Sequence, residues 1–254
     1  MSPVCFVLGA GAGVGGTVGS VFAREGYHAV LCRRSDEEGL DRLVSSIRAS
    51  GGDATGFLLN AVHEGAIEDA IERVERDIGS IEVLIYNLGG QSGFFSLADT
   101  TYKTFELGWR MATFGLFRTF KTLCPLMAAR GGGTILVTSA TAAMRGNDNQ
   151  YSHAASMGGR RMLCQAANAE FASQGVHVAH IILDGMVDAP DTTGKMMGAE
   201  RFEALRDARG RDKDGLILPA EVAETYLHLA RQHRSAWTFE LDLRAFSDRP
   251  WWNH

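Results

Sequence analysis

Proline is scarce in this chain, five in 254 residues, and cysteine scarcer still, at four. Cys5, Cys32, Cys124 and Cys164 sit among apolar neighbours with no CxxC pair and no interleaved histidine. That pattern excludes a disulfide framework and a cysteine-based metal centre, and points to reduced, mostly buried thiols of a cytoplasmic protein. Long hydrophobic runs are missing as well. No stretch reaches the roughly 18 apolar residues of a membrane span, and the apolar N-terminus lacks the basic leader of a signal peptide. A strong excess of either charge is also lacking: 25 Lys+Arg stand against 30 Asp+Glu, so neither a nucleic acid nor a membrane is an expected partner. His63, His177 and His180 show no metal-ligand spacing, and no metal is expected. No Pro/Ser-rich or charge-block linker divides the chain, and its length suffices to bury one large core, so residues 1–254 are read as a single domain.

Glycine, by contrast, is plentiful: 30 residues, with no Gly-X-Y period and too little proline for a collagen-like or disordered chain. Around the glycines, short apolar runs alternate with amphipathic segments. The runs are Val4–Leu8, His28–Cys32, Ala54–Leu59, Val83–Tyr86, Thr134–Thr138, Val176–Leu183 and Trp237–Leu241. Between them apolar residues recur at helical spacing, as in Ala66, Ile67, Ala70, Ile71, Val74 and Ile78. This alternation predicts an α/β fold, a doubly wound Rossmann-type domain with a seven-stranded, mostly parallel sheet and helices on both faces. Residues 189–218 are polar, charged and glycine-dotted, and are expected to form a mobile lid over the substrate.

Gly9, Gly11, Gly13, Val14, Gly15 and Gly16 follow the first run and open a helix expected over Thr17–Glu25. At such a turn, residues without side chains let backbone N–H groups approach a pyrophosphate, which rests on the positive end of the helix dipole. Strand, glycines, helix and second strand occur in that order within about thirty residues, the arrangement of a dinucleotide site. After the second run stand Arg33 and Arg34, where an acidic residue would hold a ribose hydroxyl; arginines there favour a 2′-phosphate, and therefore NADP(H) over NAD(H).

With these motifs in view, the sequence resembles the short-chain dehydrogenase/reductase family over essentially its whole length. Gly9-x-x-x-Gly13-x-Gly15 resembles the family's glycine motif, with Leu8 in place of its threonine. Tyr86-Asn87-Leu88-Gly89 resembles NNAG, Asn60-Ala61 stands where Asp-Val lies against the adenine, and Asp184-Gly185-Met186-Val187 takes the place of Pro-Gly-x-Val at the nicotinamide. The resemblance implies cofactor contacts at these positions, a small-molecule substrate and a homodimer or homotetramer.

The resemblance also implies a catalytic Asn, Ser, Tyr and Lys, and here the chain departs from it. Ser139 fits the serine, whereas Ala112 stands at the asparagine position. Two registers compete for the tyrosine. One takes Tyr151, whose fourth neighbour is Ala155. The other, preferred because it keeps the family spacing to Gly175-Val176, aligns His153-Ala154-Ala155-Ser156-Met157 with Tyr-Ala-Ala-Ser-Lys. In both the lysine is absent, and no lysine occurs between Lys121 and Lys195. Arg160 and Arg161 are placed on other faces of the helix. An imidazole titrates near neutrality unaided, so Ser139 and His153 form a candidate proton-transfer pair.

Three functions therefore stay open. The first is an NADP(H)-dependent oxidoreductase on a small, partly apolar carbonyl or alcohol, its pocket drawn from Phe94, Phe95, Met144, Met186, Met196 and Met197. The second is an isomerase- or lyase-type enzyme with His153 as base, and the third a nucleotide-binding regulator without turnover. The tail, Arg249 to His254, carries Trp251 and Trp252 and is expected to pack on a neighbouring subunit or on the pocket rim.

Overall fold

The computed structural model describes residues 2–89, 93–210 and 213–253. Its strands are β1 (Val4–Leu8), β2 (His28–Arg33), β3 (Asp53–Leu58), β4 (Ile81–Tyr86), β5 (Gly133–Ala140), β6 (Val176–Leu183) and β7 (Glu240–Leu243). They form one sheet in the order β3-β2-β1-β4-β5-β6-β7, and every pairing is parallel. The helices are α1 (Val14–Arg24), α2 (Glu37–Ala49), α3 (Ala66–Asp77), α4 (Tyr102–Trp109), α5 (Gly115–Ala129), α6 (Tyr151–Phe171), the single turn α7 (Lys195–Met197), α8 (Ala199–Leu205) and α9 (Pro219–Ala230).

The central strands read as unbroken apolar runs because they are covered on both faces, and all five residues of β1 are buried. One core joins α3, α5 and α6 to the sheet through residues such as Ile71, Phe120 and Cys164. The other joins α1, α2 and α9 to the opposite face through Phe22, Leu40 and Tyr226. The four cysteines are free and buried within these layers.

Strands β2 to β5 differ from the expected runs by one or two residues at an end, and three differences are larger or bear on the site. Helix α1 begins at Val14 rather than Thr17, with Gly13 as its N-cap, so Gly15 and Gly16 lie inside it. Strand β7 is Glu240–Leu243 rather than Trp237–Leu241. Trp237 stays outside the ladder because its ring stacks on His177, centroids 4.9 Å apart, and its indole N–H donates to the Gln232 carbonyl. The segment expected to be an irregular lid is instead a string of short helical turns over Pro190–Gly194, α7, α8 and Arg206–Gly210.

Strand order reverses between β1 and β4, which opens a crevice beyond their C-terminal ends, the ligand-binding place of such sheets. Gly9 and Asn87 meet there: Asn87 Nδ2 donates to the Gly9 carbonyl at 2.9 Å.

Candidate active site

Two adjoining cavities lie in this crevice. The first, about 830 Å³, is bordered by Gly11, Gly16, Ser20, Arg33, Arg34, Arg42 and, from the helical turns after β6, Thr192 and Lys195. Its floor is the glycine turn. Gly9 has φ +99°, and a β-carbon there would come within 2.6 Å of the Asn87 carbonyl oxygen. A β-carbon on Gly15 would overlap the Gly9 carbonyl oxygen, so the helix can start this close to the strand only with glycine at 15. The first turn of α1 carries no side-chain cap and no acidic residue. Its N-terminal amides and the helix dipole therefore stay available to an anion.

Arg33 and Arg34 divide the work assigned to them. Arg33 folds onto the turn, donating from Nε and Nη2 to the Ala10 carbonyl at 3.0 and 2.8 Å and from Nη1 to Asp36 at 2.7 Å. Arg34 is exposed and borders the same cavity. Asn60 and Ala61 border neither cavity. The Asn60 side chain bonds His63 at 2.9 Å, and the Ala61 carbonyl accepts from Arg118.

The second cavity, about 250 Å³, lies where β4, β5 and β6 end against α6. Asn87, Gly89, Gly185 and Val187 border it, together with Ser139, His153, Met157 and Arg160. Ser139 lies within β5 rather than beyond it, and among the described residues its hydroxyl meets the Met157 sulfur, 3.8 Å away. Burial, reinforced by the nearby Arg160 guanidinium, lowers the His153 imidazole to about 4. Tyr151 begins α6, is 41% exposed and does not border this cavity; it lines a small neighbouring depression with Phe95 and Asn149, which His153 borders as well. Of the proposed apolar lining, Met186 and Met196 face the cavity, whereas Phe94, Phe95, Met144 and Met197 do not border it.

The model of the family described as short chain dehydrogenase matches residues 3–197. The chain belongs to that family. A 3-oxoacyl-(acyl-carrier-protein) reductase from Thermotoga maritima is 26% identical over 232 residues, covering 91% of this chain and 92% of that protein. The crystal structure of a short-chain dehydrogenase from Rhodopseudomonas palustris superposes with a TM-score of 0.79 at 30% identity, covering 96% of this chain and 99% of that one. A metagenomic short-chain oxidoreductase solved with NADP shares the fold, with a TM-score of 0.80 at 20% identity and coverage of 97% and 98%.

Within this short-chain dehydrogenase the structure corrects the sequence reading at Arg160. Residues 153, 157 and 160 fall on one face of α6, and Arg160 is 2% exposed, at the cavity floor. The seven-residue step from 153 is two helical turns, which brings position 160 back beneath the imidazole. That periodicity was the available signal. Arg161 does point away, pairing with Glu240 on β7 at 2.7 Å. Glu240 also meets the buried His180, at 3.0 Å, an acidic partner that sequence spacing could not show.

The tail returns to its own chain. Asp184, where the family has proline, is 5% exposed and accepts from Arg244 and from the Trp251 amide. Arg145 Nη1 donates to the Trp251 carbonyl at 2.7 Å. Trp251 thus packs beside the turn that borders the second cavity, while Trp252 is 59% exposed. Also missed by sequence were Thr192 and Thr193, which the turn at 190–194 carries to the two cavities. Among the described residues, no helix is long and apolar enough to cross a membrane.

Proposed function

We propose that the protein is an NADP(H)-binding oxidoreductase that acts on a small, partly apolar alcohol or carbonyl, with Ser139 and His153 in place of the usual Ser-Tyr-Lys. The observation that carries this reading is that Ser139 and His153 border one cavity together with Asn87, whose side chain also bonds Gly9 at the start of the uncapped glycine turn. The glycine turn receives the pyrophosphate, and Arg34 with the Arg33 side of the cavity receives the 2′-phosphate. Gly185, Val187 and Asn87 border the place for the nicotinamide, whose chemistry is to accept or supply a hydride.

Protonation sets the direction. With its pKa near 4, His153 is neutral at physiological pH and can take the hydroxyl proton of an alcohol. The Ser139 hydroxyl exchanges a weak contact with sulfur for a stronger hydrogen bond to the substrate oxygen, which holds that oxygen beside the imidazole. Met186 and Met196 cover the carbon skeleton. The site is therefore read as an alcohol-oxidising one at neutral pH; reduction needs the imidazolium and so an acidic medium.

One observation favours a second reading, a nucleotide-binding protein without turnover: the uncharged Met157 stands buried where the family's lysine is expected. Titration with NADP⁺, NADPH and NADH, followed by an alcohol and carbonyl panel monitored by nicotinamide absorbance, separates the two. Turnover that His153→Ala abolishes supports the enzyme, and binding without turnover supports the regulator.

We further propose a homo-oligomer, supported by an exposed aromatic strip along α4 and α5. Trp109 stacks on Phe114 at 5.2 Å, and Phe114 on Phe117 at 6.2 Å, all three being at least 40% exposed. Trp109→Glu with Phe117→Glu is expected to yield monomers in light scattering.

A further inference from the structure

Arg160 heads the completely buried side chains by volume. Its hydrogen bonds run to three backbone carbonyls: Ala112, 3.1 Å from Nε, Thr138 and Leu88. Among the described residues no carboxylate pairs with it. A buried charge is ordinarily matched by an opposite one, because neutral acceptors replace only part of the lost hydration. The other groups around Arg160 do not supply the match. Tyr86 of β4 lies under the guanidinium, 5.2 Å from carbon to ring centroid, a favourable but uncharged contact. Tyr226 of α9 and Cys164 of α6 are also coupled to it, and burial pushes both phenols and the thiol upward, so all three are neutral at physiological pH. Among the described residues, none that lines the cavity above is acidic.

The site thus holds one net positive charge, fixed in place. The backbone is arranged around it: the Ala112 carbonyl comes from the π-helical turn Arg110–Phe114, the Leu88 carbonyl from the segment that follows β4 and the Thr138 carbonyl from β5. These segments meet at the cavity floor, below Ser139 and His153.

We propose that Arg160 is the fixed cation of this site, a positioning residue whose field stabilises negative charge developing on the substrate oxygen held beside Ser139. The assignment rests on the alcohol-oxidising reading above, in which that oxygen loses its proton. A low-dielectric pocket makes such a preorganised charge effective without direct contact. It also replaces, from one turn further along α6, the cation missing at Met157. One consequence does not depend on the reaction at all: the same charge acts on the His153 ring and resists its protonation. From the packed elements, the titratable and charged groups around this pair are Tyr86, Tyr226, Cys164 and, more distantly, His180 with Glu240 and Arg161.

The test compares Arg160→Gln, which keeps a donor for the carbonyls but removes the charge, with Arg160→Lys. Nuclear magnetic resonance follows the His153 ring in the substrate-free protein, assigned with His153→Gln. In the native protein and in Arg160→Lys the ring stays neutral down to about pH 5, whereas in Arg160→Gln its titration moves upward while remaining below that of a free imidazole, because burial still opposes the charged form. Kinetically, Arg160→Gln loses roughly a hundredfold in kcat with KM changed less than about threefold, the pattern of a charge felt in the transition state. A His153 titration identical in native and Arg160→Gln proteins overturns the proposal. If Arg160→Gln does not fold, Met157→Lys combined with Arg160→Met returns a cation one turn earlier. The proposal expects this double variant to keep His153 neutral and to recover kcat within about tenfold of native. A folded double variant whose His153 titration lies above the native one overturns it. Absence of turnover in the native protein, together with a titration that does move, overturns the alcohol-oxidising reading and upholds the assignment of the charge.

Discussion

Trp251 donates its backbone N–H to the Asp184 carboxylate at 3.0 Å, and the Arg244 guanidinium reaches the same oxygen at 2.9 Å. Arg244 also lies over the Trp252 ring, 5.1 Å from its centroid. A carboxylate in the turn after β6 has thereby become an anchor for the chain end, which braces the turn carrying Gly185 and Val187. Removing residues 250–254 takes one charge-assisted hydrogen bond from a buried carboxylate, a loss of about 1–3 kcal/mol. The expected result is a thermal midpoint lower by several degrees, read by circular dichroism. An unchanged midpoint contradicts the bracing role.

Gly15→Ala tests the glycine turn. The added methyl group overlaps the Gly9 carbonyl oxygen, a backbone atom that cannot swing aside. The turn must open, and with it the geometry of the N-terminal amides of α1. Binding of NADPH, measured by fluorescence, is expected to weaken at least tenfold, with stability reduced by about 1–3 kcal/mol.

Arg33 and Arg34 are expected to separate in mutagenesis. Arg34 has no structural task in view, so Arg34→Ala should weaken NADPH binding about tenfold and leave NADH nearly unchanged. Arg33 clamps the Ala10 carbonyl, so Arg33→Ala should weaken both cofactors. Tight NADPH binding that survives both substitutions together contradicts the phosphate assignment.

Acid lability follows from the histidines. Burial lowers His153 and His180 to about 4 and lowers His177 as well. Each is neutral in the folded chain where its unfolded counterpart, near 6.5, already binds a proton. Their stabilisation is fully present above about pH 6.5 and is lost as pH falls toward 4, at up to about 1.4 kcal/mol per pH unit for each group. Denaturant midpoints measured across that window should fall with acid, and His180→Phe should flatten the slope.

Much of this was legible in the sequence for physical reasons. Strands covered on both faces are continuous apolar runs, so β1 and β6 were bounded to the residue. Edge strand β7 is half-buried throughout, and its Glu-Leu-Asp-Leu pattern is weaker than the apolar start of the neighbouring loop at Trp237. The glycine turn was readable because close backbone approach leaves glycine as the only fitting residue. Arg160 was not read correctly, since a charged side chain on a helix is ordinarily solvated, and only the carbonyls of Ala112, Thr138 and Leu88, distant in sequence, make its burial possible. The Asp184 anchor needed the tertiary return of the tail, which no local pattern announces.

The pH dependence of kcat/KM for NADP⁺-dependent alcohol oxidation, in the native protein and in His153→Ala, tests the central claim most directly. A His153 base predicts a rate already level between about pH 5.5 and 7.5, falling only toward pH 4, and lost by at least a hundredfold in His153→Ala. A rate that climbs steadily toward pH 10, as an unassisted phenol base requires, and that persists in His153→Ala while vanishing in Tyr151→Phe, contradicts it.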